Sequence, residues 1–270
     1  MPFAAVNGQR LWFEDSGGVS PVILMAHAFG MSSSSFDAQV ELLQSEFRCV
    51  RWDARGFGRT EFDGGPFDFW DQAADGVALL AHLGIESAVW MGLSQGGFIA
   101  LRAALHRPDR VTGLVLVDTM AGVDGERSLR AKRDLLGSWV THGLDADRLA
   151  TFLKVTFGEV DHAPPKIVAS MHEIDRAGLG RALDCLLDRD DIQGRLRHVD
   201  APALVVHGEC DRSIALERAE AMRADLSGAE PVVVIPSAGH AACVTHPDLV
   251  APHVARFVRA QQCDETLIGP

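Results

Sequence analysis

The sequence of 270 residues has no tyrosine, few cysteines and no long apolar run. Without tyrosine, no phenol can act as an acid. The five cysteines are odd in number and widely scattered, which argues against a disulfide framework and predicts reduced thiols in the cytoplasm. Their spacing is not that of a zinc site, so we expect no metal. No run approaches the roughly 18 apolar residues of a membrane helix, and residues 1–8 lack the basic and apolar regions of a signal peptide.

Basic residues are also few: 25 Lys and Arg stand against 37 Asp and Glu, which gives a net charge of -12 at pH 7. This excess of negative charge argues against nucleic acid and anionic membrane surfaces as partners. The hydrophobic fraction of 47% is enough for a sizeable core, and the length fits one large α/β domain or two smaller ones. We expect a soluble protein with a small-molecule substrate, and the composition leaves the oligomeric state open.

Apolar runs alternate with helical patterns along most of the chain. Asn7-Gly8, between two short segments, predicts a β-hairpin over residues 3–6 and 10–14. Further strands are predicted at residues 22–26, 47–52, 88–91, 111–117, 203–207 and 232–235. Helices are predicted at about residues 69–83, 98–105, 216–226 and 247–260. This alternation predicts an α/β fold with a mostly parallel sheet and helices on both faces.

Residues 122–191 interrupt the alternation with helical periodicity alone. Helices are predicted near residues 126–140, 145–157, 165–177 and 179–189. An insertion of about 70 residues is too long for a simple crossover between two strands. We therefore expect a helical cap at residues 122–191 and a core formed by residues 1–121 and 192–263. Most bulky cap side chains should hold the cap on the core, and the predicted pocket residues are Met31, Trp139, Phe152 and Phe157.

The most informative segment is Gly92-Leu93-Ser94-Gln95-Gly96-Gly97. It follows a predicted strand and precedes a predicted helix, which is the context of a G-x-S-x-G nucleophile elbow. Its glycines allow the sharp turn that exposes one serine above the sheet. The amides at the start of the following helix can bind an anion. The pattern therefore predicts that Ser94 is a nucleophile.

A nucleophilic serine requires a base and an acid that orients the base. His240 is the predicted base, because it follows the last strand at the edge where a parallel sheet collects its functional residues. Asp211, after the preceding strand, is the predicted acid. Asp118 and Glu209 are the alternatives, although Asp118 is more typical of a structural acceptor. His27 also follows a strand, where a histidine more often braces the turn.

The oxyanion hole is predicted from backbone amides. One donor is the residue after the nucleophile, Gln95, and the other comes from the loop after an early strand, at residues 27–32. Within this loop we expect the amide of Phe29 to be the second donor. The side chains of both residues are then incidental to charge stabilisation.

These motifs make the chain resemble the α/β-hydrolase superfamily from Val6 to about Ala260, and within it the 3-oxoadipate enol-lactonase-like and small carboxylesterase group. The resemblance rests on the elbow around Ser94, the loop at residues 27–31, residues 51–56, Asp211 and His240. Residues 53–60, Asp-Ala-Arg-Gly-Phe-Gly-Arg-Thr, are similar to a structural turn of the family. The resemblance implies an eight-stranded sheet, a helical cap and no cofactor.

Two departures from the family pattern concern the site. Ala28 stands where the family usually has glycine, so we expect a slightly reshaped oxyanion loop. Gln95 stands where the enol-lactonases usually have methionine, which bears on the specific lactone and not on the reaction class. Ser94 in place of an aspartate argues against the dehalogenases of this fold. The serine and the absence of tyrosine together argue against its epoxide hydrolases.

The residues and the resemblance together predict a serine hydrolase that cleaves a carboxylic ester or lactone through an acyl-enzyme. C–C bond hydrolysis, hydroxynitrile lysis, cofactor-free perhydrolysis and acyl transfer stay open, because all can use the same three residues. A non-catalytic ligand-binding protein is a further alternative. An apolar pocket would favour an apolar acyl group, whereas Arg133 and Arg176 in the cap would favour a carboxylate.

Overall fold

The computed structural model describes residues 2–18, 21–159 and 162–265, with side chains up to residue 261. Its strands are β1 (Phe3–Val6), β2 (Gln9–Asp15), β3 (Val22–Ala26), β4 (Arg48–Trp52), β5 (Ala88–Leu93), β6 (Val111–Val117), β7 (Ala203–Gly208) and β8 (Val233–Ile235). Across the described ranges they form one eight-stranded sheet in the order β1-β2-β4-β3-β5-β6-β7-β8. β2 is antiparallel to both neighbours and the other pairs are parallel. The predicted α/β fold is confirmed, as are the eight strands that the resemblance implied.

Asn7 and Gly8 connect β1 to β2 with φ angles of 48° and 77°. A two-residue hairpin turn of this type requires positive φ at both positions, which asparagine and glycine adopt more readily than other residues. The hairpin was therefore predictable from two residues. Its second strand continues to Asp15, one residue beyond the predicted end.

Helices cover both faces of the sheet, which is why β3 and β5 are buried along their whole length. The helices are α1 (Asp37–Leu43), α2 (Phe69–His82), α3 (Gln95–His106), α4 (Glu126–His142), α5 (Ala146–Phe157), α6 (Pro165–His172), α7 (Arg176–Leu187), α8 (Leu216–Asp225), α9 (Ala242–Thr245) and α10 (Pro247–Glu265). α3 packs on β5 and α2, whereas α1 packs on α10. Of the helices described, none combines the length and the apolar character needed to cross a membrane.

The four helices α4 to α7 lie between β6 and β7, where the sequence predicted them. Two boundaries were wrong. The third of these helices was predicted to reach residue 177, but α6 ends at His172, and the fourth was predicted to begin near residue 179, but α7 begins at Arg176. The carboxylate of Asp175 accepts a 2.8 Å hydrogen bond from the Gly178 amide and so caps the start of α7. The division of the chain into a core and a cap at residues 122–191 stays a prediction.

Candidate active site

Ser94 lies in the sharp turn between β5 and α3, with φ of 54° and ψ of -114°. The glycines on either side leave no room for a side chain. A Cβ at Gly92 would lie 2.3 Å from the backbone of Gly96, and a Cβ at Gly96 would lie 1.9 Å from the Ala26 carbonyl oxygen. The strained backbone therefore holds the serine above the end of the sheet, as the motif predicted.

Three side chains meet at this turn through two hydrogen bonds. Nε2 of His240 lies 2.8 Å from Oγ of Ser94, and Nδ1 of His240 lies 2.7 Å from Oδ2 of Asp211. The other oxygen of Asp211 accepts from the amides of Ser213 and Ile214, at 2.7 and 3.0 Å. Asp211 is therefore fixed in place and favours the tautomer of His240 that leaves Nε2 free to accept the serine proton.

The charges of His240 and Asp211 stabilise one another in a buried site. Burial lowers the pKa of His240, but the Asp211 carboxylate outweighs this effect and raises that pKa above its ordinary value. Burial raises the pKa of Asp211, but its interaction with His240 outweighs this and lowers that pKa below its ordinary value. The pair is thus suited to hold the positive charge that His240 acquires as it takes a proton.

The alternative acids are engaged elsewhere. Asp118 accepts hydrogen bonds from the amides of Gly208 and Ala242, at 2.7 and 2.8 Å, and so joins β7 to the segment after β8. Burial, aided by the charge of Asp211, raises the pKa of Asp118 to about 6. Glu209 accepts from the amide of Ser237 and is exposed. Of the three candidate acids, Asp211 is the one hydrogen-bonded to His240.

A buried histidine lies between the two aspartates. Atoms of Asp118, His207 and Asp211 approach within 4.8 Å of one another, a spacing compatible with a metal ion. However, each of these groups already has a partner in the protein. The Asp118 oxygens accept hydrogen bonds from two backbone amides, and Asp211 is hydrogen-bonded to His240. Nε2 of His207 lies 3.0 Å from the Ile214 carbonyl oxygen. These hydrogen bonds engage both carboxylates and Nε2 of His207, whereas Nδ1 of His207 has no hydrogen-bond partner among the described residues. His207 helps to position the Asp211 loop, a role that the sequence analysis missed.

The proposed oxyanion donors, the amides of Phe29 and Gln95, occupy the loop after β3 and the first turn of α3. Neither amide has an acceptor among the backbone hydrogen bonds of the described residues. The loop is braced by His27, whose Nε2 accepts from the Ala54 amide at 3.0 Å and whose Nδ1 contacts the Ala28 carbonyl at 2.8 Å. His27 therefore braces the turn, as expected, and both of its ring nitrogens bond to backbone groups rather than to Ser94.

The turn at residues 53–60 holds both ends of the loop after β3 through Asp53 and Ala54. The Asp53 carboxylate accepts from the amides of Ser33 and Arg59, at 2.7 and 2.8 Å. Gly58 has φ of 56°, and a Cβ there would lie 2.1 Å from the Asp53 carboxylate. These contacts are those of a structural turn, which the family resemblance implied.

A cavity of about 210 Å³ opens beside Ser94 and His240. Of the four predicted pocket residues, Phe152 lines it, and Phe29 of the oxyanion loop also lines it. Met31, Trp139 and Phe157 are buried outside this lining, so their contact with a substrate stays a prediction. The Trp139 ring lies edge-on to Phe152, with 5.3 Å between ring centroids, and supports the wall from behind.

Two further parts of the cavity wall, both with polar and apolar residues, were missed by the sequence analysis. Along α4 the lining residues recur every three or four positions, which is the spacing of one helix face. They are Ser128, Ala131, Lys132, Leu135 and Leu136. The segment after β7 adds Arg212, Ser213 and Ile214. The two arginines suggested from sequence lie outside the lining: Arg133 is exposed, and Arg176 borders a separate surface groove.

Comparison with known proteins identifies the fold family. The α/β hydrolase fold family matches residues 21–247. Relatives include a non-heme haloperoxidase of Rhodococcus erythropolis, 26% identical over 96% of this chain and 100% of the relative. The solved enol-lactonase of Burkholderia xenovorans LB400 superposes with a TM-score of 0.85 at 25% identity, over 96% of this chain and 100% of that one. A thermophilic esterase of Thermogutta terrifontis gives a TM-score of 0.85 at 28% identity, over 96% and 97%. The chain belongs to the α/β-hydrolase fold family.

Proposed function

We propose that the protein is a serine hydrolase that cleaves a carboxylic ester or lactone through an acyl-enzyme. The observation that carries the proposal is the pair of hydrogen bonds that joins Asp211, His240 and Ser94 at the mouth of a cavity. A serine hydroxyl gains nucleophilic strength only when an adjacent base can take its proton, and Nε2 of His240 is within that reach.

In the proposed reaction, His240 accepts the Ser94 proton while Oγ attacks the ester carbonyl carbon. The resulting oxyanion accepts hydrogen bonds from the amides of Phe29 and Gln95. His240 then protonates the leaving alcohol, or the ring-opened alcohol of a lactone, and an acyl-enzyme remains on Ser94. A water molecule, deprotonated by His240, attacks the acyl carbonyl and releases the acid.

The stretch at residues 122–191 acts in this proposal as a cap that selects the substrate. It supplies Phe152 and one face of α4 to the cavity wall. Ser94, His240 and the Asp211 loop come from the sheet core. We therefore assign chemistry to the core and specificity to the cap. No cofactor takes part in any step.

The relatives favour ester chemistry and suggest one second candidate. The enol-lactonase and the esterase are similar to this chain along nearly its whole length. The haloperoxidase relative favours perhydrolysis as the second candidate, in which hydrogen peroxide replaces water and converts the same acyl-enzyme to a peracid. Both reactions use the same three residues, so they differ only in the final nucleophile.

A fluorophosphonate probe tests the proposal first, because such probes label only activated serines. We expect labelling of the wild-type protein and none of Ser94→Ala. Absence of labelling in folded wild-type protein would favour the non-catalytic alternative. A panel of 4-nitrophenyl esters and lactones, with and without hydrogen peroxide, then separates hydrolysis from perhydrolysis.

A further inference from the structure

The cavity beside Ser94 carries positive charge, although the protein as a whole is acidic. Lys132 and Arg212 line the cavity, and no aspartate or glutamate of the described residues does. The chain has a net charge of -12, so a cavity wall whose charged residues are all cations differs from the rest of the protein. A neutral apolar ester would bring no negative charge next to either cation.

Lys132 is held in place by a buried carboxylate. Nζ of Lys132 lies 2.8 and 2.9 Å from the two oxygens of Asp124. Asp124 also accepts from Oγ of Ser128 and from Nη2 of Arg189, both at 2.8 Å. Four donor contacts saturate the Asp124 carboxylate. The ammonium of Lys132 has three N–H groups, and among the described residues it contacts two oxygens.

This cluster retains one positive charge. Burial raises the pKa of Asp124, but Lys132 and Arg189 outweigh it and lower that pKa to about 2. One carboxylate thus faces two cations. The side chain of Lys132 is 18% exposed and that of Arg189 is 2% exposed. Of the two, Lys132 borders the cavity. An anion in the cavity would neutralise the excess charge and would offset the cost of burying the ammonium.

We propose that this part of the cavity binds the free carboxylate of a half-ester, or of a lactone that carries a carboxylate, through Lys132. Arg212, on the exposed side of the wall, adds attraction, and the apolar residues Leu135 and Phe152 contact the carbon chain. The proposal rests on the proposed function of Ser94 and narrows its substrate class to anionic esters.

A matched pair of substrates tests it. Monomethyl adipate and methyl hexanoate have acyl chains of equal length and differ in one carboxylate. We expect kcat/KM of the wild-type protein to be about tenfold or more higher for the adipate half-ester, the size of one charge-assisted hydrogen bond. Lys132→Met should reduce this preference about tenfold, and Lys132→Arg should retain most of it. Arg133→Met, a loss of charge at the next and exposed position, should leave it unchanged.

Lys132→Met should fold, because Asp124 keeps its contacts to Ser128 and Arg189. If it does not, Lys132→Gln replaces it, since the amide retains a donor for Asp124. Efficient hydrolysis of methyl hexanoate with no preference for the half-ester, or a preference that survives loss of Lys132, would overturn the inference and leave the serine hydrolase intact.

Binding to an inactive protein separates the two proposals. Calorimetry with Ser94→Ala should give a dissociation constant for monomethyl adipate about tenfold lower than that of the Ser94→Ala, Lys132→Met double variant. Equal affinities would overturn the anion site even if no substrate is turned over. Turnover by Ser94→Ala would overturn the proposed function without affecting this comparison.

Discussion

Gly96 lies so close to the carbonyl oxygen of Ala26 that a Cβ at Gly96 would fall 1.9 Å from it. The clash would be with backbone atoms of Ala26, so no side-chain movement can relieve it. We expect Gly96→Ala to displace the start of α3 from β3, to destabilise the protein and to lower esterase kcat by at least about 100-fold, because a small misplacement of reacting groups costs that much.

Gly137 provides the matched control, since it lies within α4 and a Cβ there would meet nothing within 4 Å. Gly137→Ala should raise the melting temperature slightly, because alanine is worth about 0.8–1 kcal/mol over glycine inside a helix. Thermal melts and ester assays of both variants check the contrast. Equal activity in both would mean that the tight elbow is not required.

The two buried aspartates should respond differently to removal of charge. Asp211→Asn should lower kcat roughly 10⁴-fold, because the amide favours the wrong tautomer of His240. Asp118→Asn should mainly lower stability, because the two backbone amides donate to different oxygens of Asp118 and asparagine replaces one of these oxygens with an NH₂ donor. Ester hydrolysis kinetics and thermal unfolding of the two variants measure kcat and stability separately. If Asp118→Asn had the larger effect on kcat, the acid would be misassigned.

The pH dependence of kcat/KM should follow the ionisation of His240. Only neutral His240 can accept the Ser94 proton, so kcat/KM should rise with pH and level off above the His240 pKa. Asp211 raises that pKa, so the midpoint should lie above the usual value of about 6.5. Asp211→Asn should shift the midpoint downward. A profile that is flat between pH 5 and 9, with chemistry rate-limiting, would contradict a histidine base.

The raised pKa of His240 also makes the stability of the folded protein depend on pH. A histidine whose pKa is raised by folding stabilises the folded state below its unfolded pKa, and this contribution is lost as the pH rises through the folded pKa. Activity and this part of the stability therefore change in opposite directions with pH. Urea titrations of wild-type protein and His240→Gln between pH 5 and 8 measure the difference.

The cavity wall makes a prediction about acyl size. Phe152 lines the cavity, so Phe152→Ala should move the preferred 4-nitrophenyl ester toward longer acyl chains, while acetate hydrolysis should stay within about tenfold. Val140, a half-buried residue of α4 outside the lining, gives the control Val140→Ala. An unchanged chain-length profile in folded Phe152→Ala would show that this ring does not limit the acyl site.

Much of the fold could be predicted because local patterns and tertiary structure agree. β3 is a continuous apolar run because both faces of the sheet are covered, and Asn7-Gly8 fits a turn with two positive φ angles. The residues around Ser94 were predictable for a similar reason. A strand-to-helix turn without room for side chains requires glycines. Asp211 and His240 follow two neighbouring parallel strands, whose carboxyl ends meet at the same edge of the sheet as Ser94.

The cavity wall was less predictable because it depends on how helices turn toward one another. Trp139 and Phe152 are both bulky and apolar, and nothing in their spacing reveals that one ring lies behind the other. Lys132 and Arg133 are adjacent cations, yet only the first borders the cavity, since successive helical residues point about 100° apart. The period of Ser128, Lys132 and Leu136 was visible in the sequence, but the direction of that face was not.

Ser94 is the proposed nucleophile, and kcat of Ser94→Ala on an activated ester tests this role most directly. Alanine adopts the strained turn about as readily as serine, so the variant should fold normally. Ser170→Ala, on α6 outside the cavity lining, is the matched control. Ser94→Ala should lose roughly 10⁶-fold in kcat, whereas Ser170→Ala should keep wild-type activity. Substantial ester hydrolysis by pure, folded Ser94→Ala would contradict it.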